Sequence, residues 1–259
     1  MHTTDMFRLD DRVALVTGGG HGIGRHLAIG LAEAGADVIV VGRKADPLAE
    51  VSAAIEGIGR RAWPLQADLG DLAAIDDLLA RVWDAVPGVD ILVNNAGMVW
   101  AAPTLDYPMA GWDKVFNLNV RGLFYLSQQV ARTMRERGGG SIINISSISA
   151  WRCATDEAEP VVAYNASKGA VVSLTRDMAV KLAGDNIRVN GIAPGPFLTD
   201  MMNHVRHDDD KLAAFESGIP QQRSGTEDDI KGVVVFLAGP ASAFVTGQTL
   251  VVDGGWLCT

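Results

Sequence analysis

The chain has 259 residues, 48% of them hydrophobic, and a net charge of −9. That length and composition suit one large α/β domain with a full core. The acidic balance argues against a nucleic-acid surface or an anionic membrane as partner. Two cysteines, Cys153 and Cys258, are too few for a disulfide framework, and five scattered histidines form no His-Glu-x-x-His pair, so no metal is expected.

Residues 1–11 are short and polar, and nothing later approaches about 18 unbroken apolar residues, so a cytoplasmic protein is expected. In chain order, strands are predicted at 12–17, 38–41, 62–66, 91–93, 141–145, 187–192 and 249–252. Between them, apolar residues recur at helical spacing over 23–34, 45–58, 72–86, 109–137, 163–181 and 228–237. Short apolar strands alternating with helices of ten or more residues make βαβ units, and hence a parallel sheet covered on both faces. About seven strands fit a doubly wound sheet with its site at the carboxyl ends of the strands. Residues 1–8 are read as a tail and 9–259 as a single domain.

Three stretches carry chemistry. Thr17-Gly18-Gly19-Gly20-His21-Gly22-Ile23-Gly24 joins the first strand to its helix. Its glycines let the backbone approach a pyrophosphate at a helix N-terminus, although no strict G-x-G-x-x-G fits it. At the end of the second strand a ribose-binding acid is absent, and Gly42-Arg43-Lys44 stands in its place. Arg43 can pair with a 2′-phosphate, which favours NADP(H) over NAD(H). The third stretch is Tyr164-Asn165-Ala166-Ser167-Lys168, where Tyr164 and Lys168 share one helix face. An ammonium one turn away is expected to lower the phenol's pKa toward working pH, where proton transfer is efficient.

Together these motifs resemble the short-chain dehydrogenase/reductase family from about residue 9 to 255. The resemblance is carried by Thr17-Gly-x-x-x-Gly-x-Gly24, Asp68-Leu69, Asn94-Asn95-Ala96-Gly97, Asn119 in Asn-Val-Arg-Gly, Ser146-Ser147, Tyr164-x-x-x-Lys168, Pro194-Gly195 and Asp253-Gly254-Gly255. It implies a three-layer doubly wound Rossmann fold and a catalytic set of Asn119, Ser147, Tyr164 and Lys168. Ser147 would hold the substrate oxygen beside Tyr164, Lys168 would also bind the nicotinamide ribose, and Asn119 would hold a water that relays protons. Asp68 and Leu69 would meet adenine, Asn95, Ala96 and Gly97 would floor the cofactor, and Pro194, Gly195, Phe197 and Thr199 would close over the nicotinamide. Either of Asn94 and Asn95 can equally be a strand-end cap, and Thr199 a helix cap.

Ser147 and Tyr164 stand 17 residues apart, four more than is usual in the family. The extra residues fall in 151–159, which carries Asp156, Glu157 and Glu159. They form either a solvated acidic loop or a wall that narrows the pocket and repels anions. Val99, Trp100, Ser149, Trp151, Met201 and Met202 are candidate pocket residues, under a lid at about 196–220. The expected activity is an NADP(H)-dependent carbonyl reductase or secondary-alcohol dehydrogenase acting on a small neutral ketone or keto ester. A 3-oxoacyl-acyl-carrier-protein reductase, the branch closest in look, and a sugar or polyol dehydrogenase are the alternatives. The first would need a basic rim, for which Arg132, Arg135 and Arg137 are candidates. A non-catalytic dinucleotide-binding regulator would be expected to lose Tyr164 or Lys168, and both are present. A homotetramer is implied by the resemblance.

Overall fold

The structure, a computed structural model, describes residues 2–198 and 208–259. Seven parallel strands form one sheet: β1 (Val13–Thr17), β2 (Asp37–Gly42), β3 (Ala62–Gln66), β4 (Ile91–Asn94), β5 (Gly140–Ile145), β6 (Ile187–Pro194) and β7 (Thr249–Val252). Their order is β3-β2-β1-β4-β5-β6-β7. The winding therefore reverses between β1 and β4, and at such a switch point the loops after the two strands part to leave a crevice. The helices are α1 (Gly22–Glu33), α2 (Ala45–Gly57), α3 (Leu72–Ala85), α4 (Met109–Phe116), α5 (Leu123–Glu136), α6 (Val162–Leu182), α7 (Asp209–Ser217) and α8 (Glu227–Ala238).

Each central strand is buried on both sides, and its alternating side chains serve two separate cores. Ala14, Val16, Val38, Val40, Val93 and Ile143 meet Leu27 and Leu31 of α1, Leu48 and Val51 of α2, and Val234 and Leu237 of α8. Leu15, Ile39, Val41, Leu92 and Ile142 meet Ile75 and Leu78 of α3, Leu126 and Val130 of α5, and Met178 of α6. This is the three-layer doubly wound architecture expected from the apolar runs. Helix ends follow local chemistry: Asp71 caps α3 by accepting from Ala73 N at 3.0 Å, and Thr226 with Asp229 forms a capping box on α8.

One sequence expectation changes. The helix predicted over 109–137 is broken by one turn of π-helix, Asn117–Gly122, between α4 and α5. A Cβ on Gly122 would come within 1.9 Å of the Leu69 carbonyl oxygen, so the chain swells where the loop after β3 crowds it. Asp37, the acid near the second strand, is buried at the strand's start and tied to Arg60 Nη2 at 2.9 Å and Arg61 Nη2 at 2.7 Å. Burial would raise its pKa, but hydrogen bonds from the Arg61 backbone and guanidinium hold it below the ordinary carboxylate value. Asp37 is thereby a structural anchor between β2 and the turn before β3.

Candidate active site

The crevice is assembled by side chains that stitch the loop after β1 to the loop after β4. Thr17 Oγ1 donates to Val93 O and accepts from Asn95 N (2.9 Å) and Ala96 N (3.0 Å). Asn95 Nδ2 donates to the carbonyls of Thr17 (3.0 Å) and Gly18 (3.1 Å). Asn94 turns the other way, into a buried network with Ser127 (2.7 Å) and Asn144 (2.9 Å), and Asn144 donates on to Thr175. Of the asparagine pair, Asn94 thus braces the sheet centre, and Asn95 shapes the floor of the crevice.

Gly18, Gly20, His21, Gly22, Ile23 and Gly24 line one end of a cleft of about 790 Å³. His21 is the N-cap of α1 and offers no side-chain cap, so the first amides of that helix are left to the cleft. A Cβ on Gly24 would stand 2.1 Å from Gly18 O and 2.4 Å from Asn95 Nδ2. The site therefore fits a diphosphate at a helix N-terminus, and only glycine permits that loop. Gly24→Ala should lower Tm by roughly 3–10 °C and weaken dinucleotide binding more than tenfold, as thermal melting and cofactor titration would register. An unchanged melting curve would contradict the steric argument.

Arg43 and Lys44 are exposed at the cleft end beyond β2, and Gln66 Nε2 fixes the turn by donating to Arg43 O at 3.1 Å. Asp68, Leu69, Ala96 and Gly97 lie along the same wall, and Pro194, Gly195 and Phe197 lie opposite. Thr199, Met201 and Met202, with most of the first half of the segment expected to be a lid, fall outside the described residues; α7 lies in the second half of that segment.

At the other end of the cleft, α6 brings Tyr164 and Lys168 to face Ser147 from the loop after β5. Lys168 is buried, and its Nζ donates to Ile145 O at 2.8 Å and stands 5.5 Å from the Tyr164 ring centroid. Burial lowers its pKa to about 8. The Tyr164 phenol is held above its ordinary value, first by burial and then by Glu159, against the lowering effect of Ser147. The lowering expected from Lys168 is absent because the ammonium sits over the ring face and spends its hydrogen bond on a carbonyl. Ser147 Oγ contacts Ser149 Oγ at 3.0 Å, and Ser146 Oγ donates to Lys168 O at 2.9 Å, which fixes the lysine's helix turn.

Asn119 does not line the cleft. It is buried in the π turn, where Oδ1 accepts from Met98 N (2.8 Å) and Nδ2 donates to Met98 O and Ser167 Oγ (both 3.0 Å). It locks the loop after β4 against α6 immediately behind Gly97 and Lys168. Of the pocket candidates, Val99 and Ser149 reach the cleft. Trp100 instead packs against Gly111 with Lys114 over its ring at 5.2 Å, and Trp151 is 48% exposed outside the cleft. Sequence reasoning missed Arg152, Val161, Phe215 and Trp256, which line the substrate end with Glu159 of the lengthened segment. Arg137, offered for a basic rim, sits at the amino end of β4, opposite the cleft, bonded to Pro87 O at 3.1 Å.

A glycine-lined helix N-terminus at a doubly wound switch point, facing a serine, a tyrosine and a buried lysine, defines a dinucleotide-dependent oxidoreductase. A family model described as enoyl-(acyl carrier protein) reductase matches residues 18–257. The 2-dehydro-3-deoxy-D-gluconate 5-dehydrogenase of Dickeya dadantii is 40% identical over 97% of both chains. Among solved structures, a short-chain type dehydrogenase/reductase from Mycobacterium marinum is 37% identical over the whole of both chains, with a TM-score of 0.93. A gluconate 5-dehydrogenase from Burkholderia cenocepacia, in complex with NADP and tartrate, is 38% identical over the whole of both chains, with a TM-score of 0.91. The chain belongs to the short-chain dehydrogenase/reductase family and is an oxidoreductase acting on CH–OH donors.

Proposed function

We propose that the protein is an NADP(H)-dependent dehydrogenase of sugar acids and related polyhydroxy compounds, interconverting a secondary hydroxyl and a ketone. The observation that carries this reading is the convergence of Ser147, Tyr164 and Lys168 at a cleft whose substrate end sets Ser149, Arg152 and Glu159 among apolar walls. The names of the relatives favour a sugar-type substrate over the small neutral ketone expected from the sequence. The distance of Arg137 from the cleft speaks against a rim for acyl-carrier-protein.

When bound, the nicotinamide gives or takes the hydride. Ser147 Oγ donates to the substrate oxygen and orients the reacting carbon, and the Tyr164 hydroxyl delivers the proton during reduction or removes it during oxidation. Lys168, fixed by Ile145 O, holds a positive charge beneath the phenol and stands ready for the ribose hydroxyls. Asn119 keeps the Met98 loop in place so that this geometry is set before substrate arrives. Arg43, with no carboxylate beside it at the end of β2, would take the 2′-phosphate. The homotetramer is part of the same reading, supported by exposed Phe124 on α5 and Val180 on α6, and size-exclusion mass tests it.

The test is reduction of 5-keto-D-gluconate and of ethyl acetoacetate with NADPH and NADH side by side. NADPH-dependent turnover that prefers the keto acid is expected, and preference for the keto ester would replace this reading. Arg43→Ala should raise KM for NADPH by about 10–100-fold and leave KM for NADH within about threefold. Equal losses with both cofactors would remove Arg43 from 2′-phosphate recognition.

A further inference from the structure

The lengthened segment between Ser147 and Tyr164 has a definite seat. Asp156 accepts from Thr104 N at 2.9 Å and Thr104 Oγ1 at 2.8 Å, and Ala102 N donates to Pro160 O at 2.8 Å. The segment is therefore fastened to the loop after β4 and forms a wall of the cleft. Its acids are largely accounted for: Asp156 is taken by Thr104, and Glu157 is turned to Thr155 and its own backbone. Glu159 faces Arg152, whose Nη1 donates to Glu159 Oε1 at 3.2 Å.

Arg152 is held in an unusual way for a surface arginine. Its guanidinium lies 4.8 Å from the ring centroid of Trp256, which Phe215 supports edge-on at 5.3 Å. A guanidinium over an indole face is held without consuming an N–H group. Among the described residues, Nε and Nη2 of Arg152 have no hydrogen-bond partner, and the side chain is 35% exposed at the cleft. The single contact to Glu159, itself 39% exposed, is a weak pair that a better-matched anion can displace. Besides Lys168, which is committed to Ile145 O, Arg152 is the only cation lining the substrate end among the described residues.

We propose that Arg152 is the specificity-determining residue that binds the substrate's carboxylate, so that the preferred substrates are polyhydroxy monocarboxylates and their keto forms rather than neutral polyols. The inference rests on the sugar-acid reading above. A fork of N–H donors held at the cleft by an indole suits a planar carboxylate. Once Glu159 releases it, one guanidinium pairs with a monoanion, whereas a phosphate dianion would require further cations. Glu159 holds the guanidinium in place between turnovers and competes with the substrate for it. The wall is thus selective for an anion, opposite to the repulsion that its composition predicts.

The experiment compares 5-keto-D-gluconate with L-sorbose, which has the same chain and carbonyl but CH₂OH in place of the carboxylate. The readout is the ratio of kcat/KM for acid over neutral substrate in wild type, Arg152→Met, Arg152→Lys and Glu159→Gln. The ratio should fall about 10–100-fold in Arg152→Met. It should recover partly in Arg152→Lys and rise above wild type in Glu159→Gln. Because the Glu159→Gln effect runs the other way, damage to the fold cannot imitate it. If wild type prefers the acid but Arg152→Met loses both substrates in parallel, the inference is overturned and the sugar-acid reading stands. If wild type turns over L-sorbose and not the acid, both fall.

Discussion

Tyr164→Phe should lower kcat by about 10²–10⁴-fold, the usual contribution of a positioned acid-base group, while cofactor binding stays within about twofold. Among the described residues, the phenol is the one proton-transfer group at the substrate end that faces both Ser147 and the cleft. Its ring remains in the variant, so packing against Lys168 is kept. Single-turnover kinetics and cofactor fluorescence titration separate the two effects, and a variant with more than a tenth of wild-type kcat would assign the proton to another group. The pH dependence has a sign. Burial and Glu159 hold the phenol above its ordinary pKa, which favours the protonated form. Reduction consumes that form, so its rate should be flat through neutrality and fall only as pH rises through the phenol's pKa. Oxidation needs the phenolate and should climb with pH over the alkaline range. Glu159→Gln removes a raising influence and should move the oxidation limb to lower pH, an effect common to acid and neutral substrates.

The parts of this molecule that were legible in the sequence are those whose cause is local. β1 and β4 fall within a residue of their apolar runs, because a buried parallel strand needs a continuous apolar stretch bounded by breakers. The glycine loop was legible because a missing Cβ at Gly24 has one steric reason. The π turn was not, since the apolar stripe of α4 resumes in α5 with the same period, and only Gly122 and the two asparagines mark the widening. Trp100 and Trp151 misled because sequence gives a loop's place beside the cleft but not which way its indoles turn. Arg152 was hidden for a different reason. Its environment comes from Trp256 and Phe215, far along the chain, and in sequence it is one base beside three acids. The same distance in sequence explains the error over Tyr164: helical spacing brings Lys168 near the ring, but the Ile145 carbonyl decides where the ammonium points.

Lys168→Met should abolish most turnover and, at neutral pH, remove a source of instability that wild type carries. The wild-type side chain is buried with one hydrogen bond, and its pKa falls from 10.5 to about 8. Between those values the folded state binds fewer protons than the unfolded chain, so stability rises with pH across that window. Below pH 8 the ammonium is charged and buried at its full desolvation cost. In urea titrations at pH 7.5 and pH 10, wild type should gain about 2 kcal/mol relative to Lys168→Met. Parallel pH dependences would mean that Lys168 titrates as a solvated amine and that its burial is not maintained in solution. The variant's own deficit, an Ile145 carbonyl left without a donor, is independent of pH and cancels in the comparison. A methionine would fill the volume with no ionisation cost, so packing alone gives no reason for a lysine here. The reason is chemical: an ammonium with a single bond to Ile145 O keeps its other N–H groups for the ribose hydroxyls of the cofactor, and the fold carries the cost in stability.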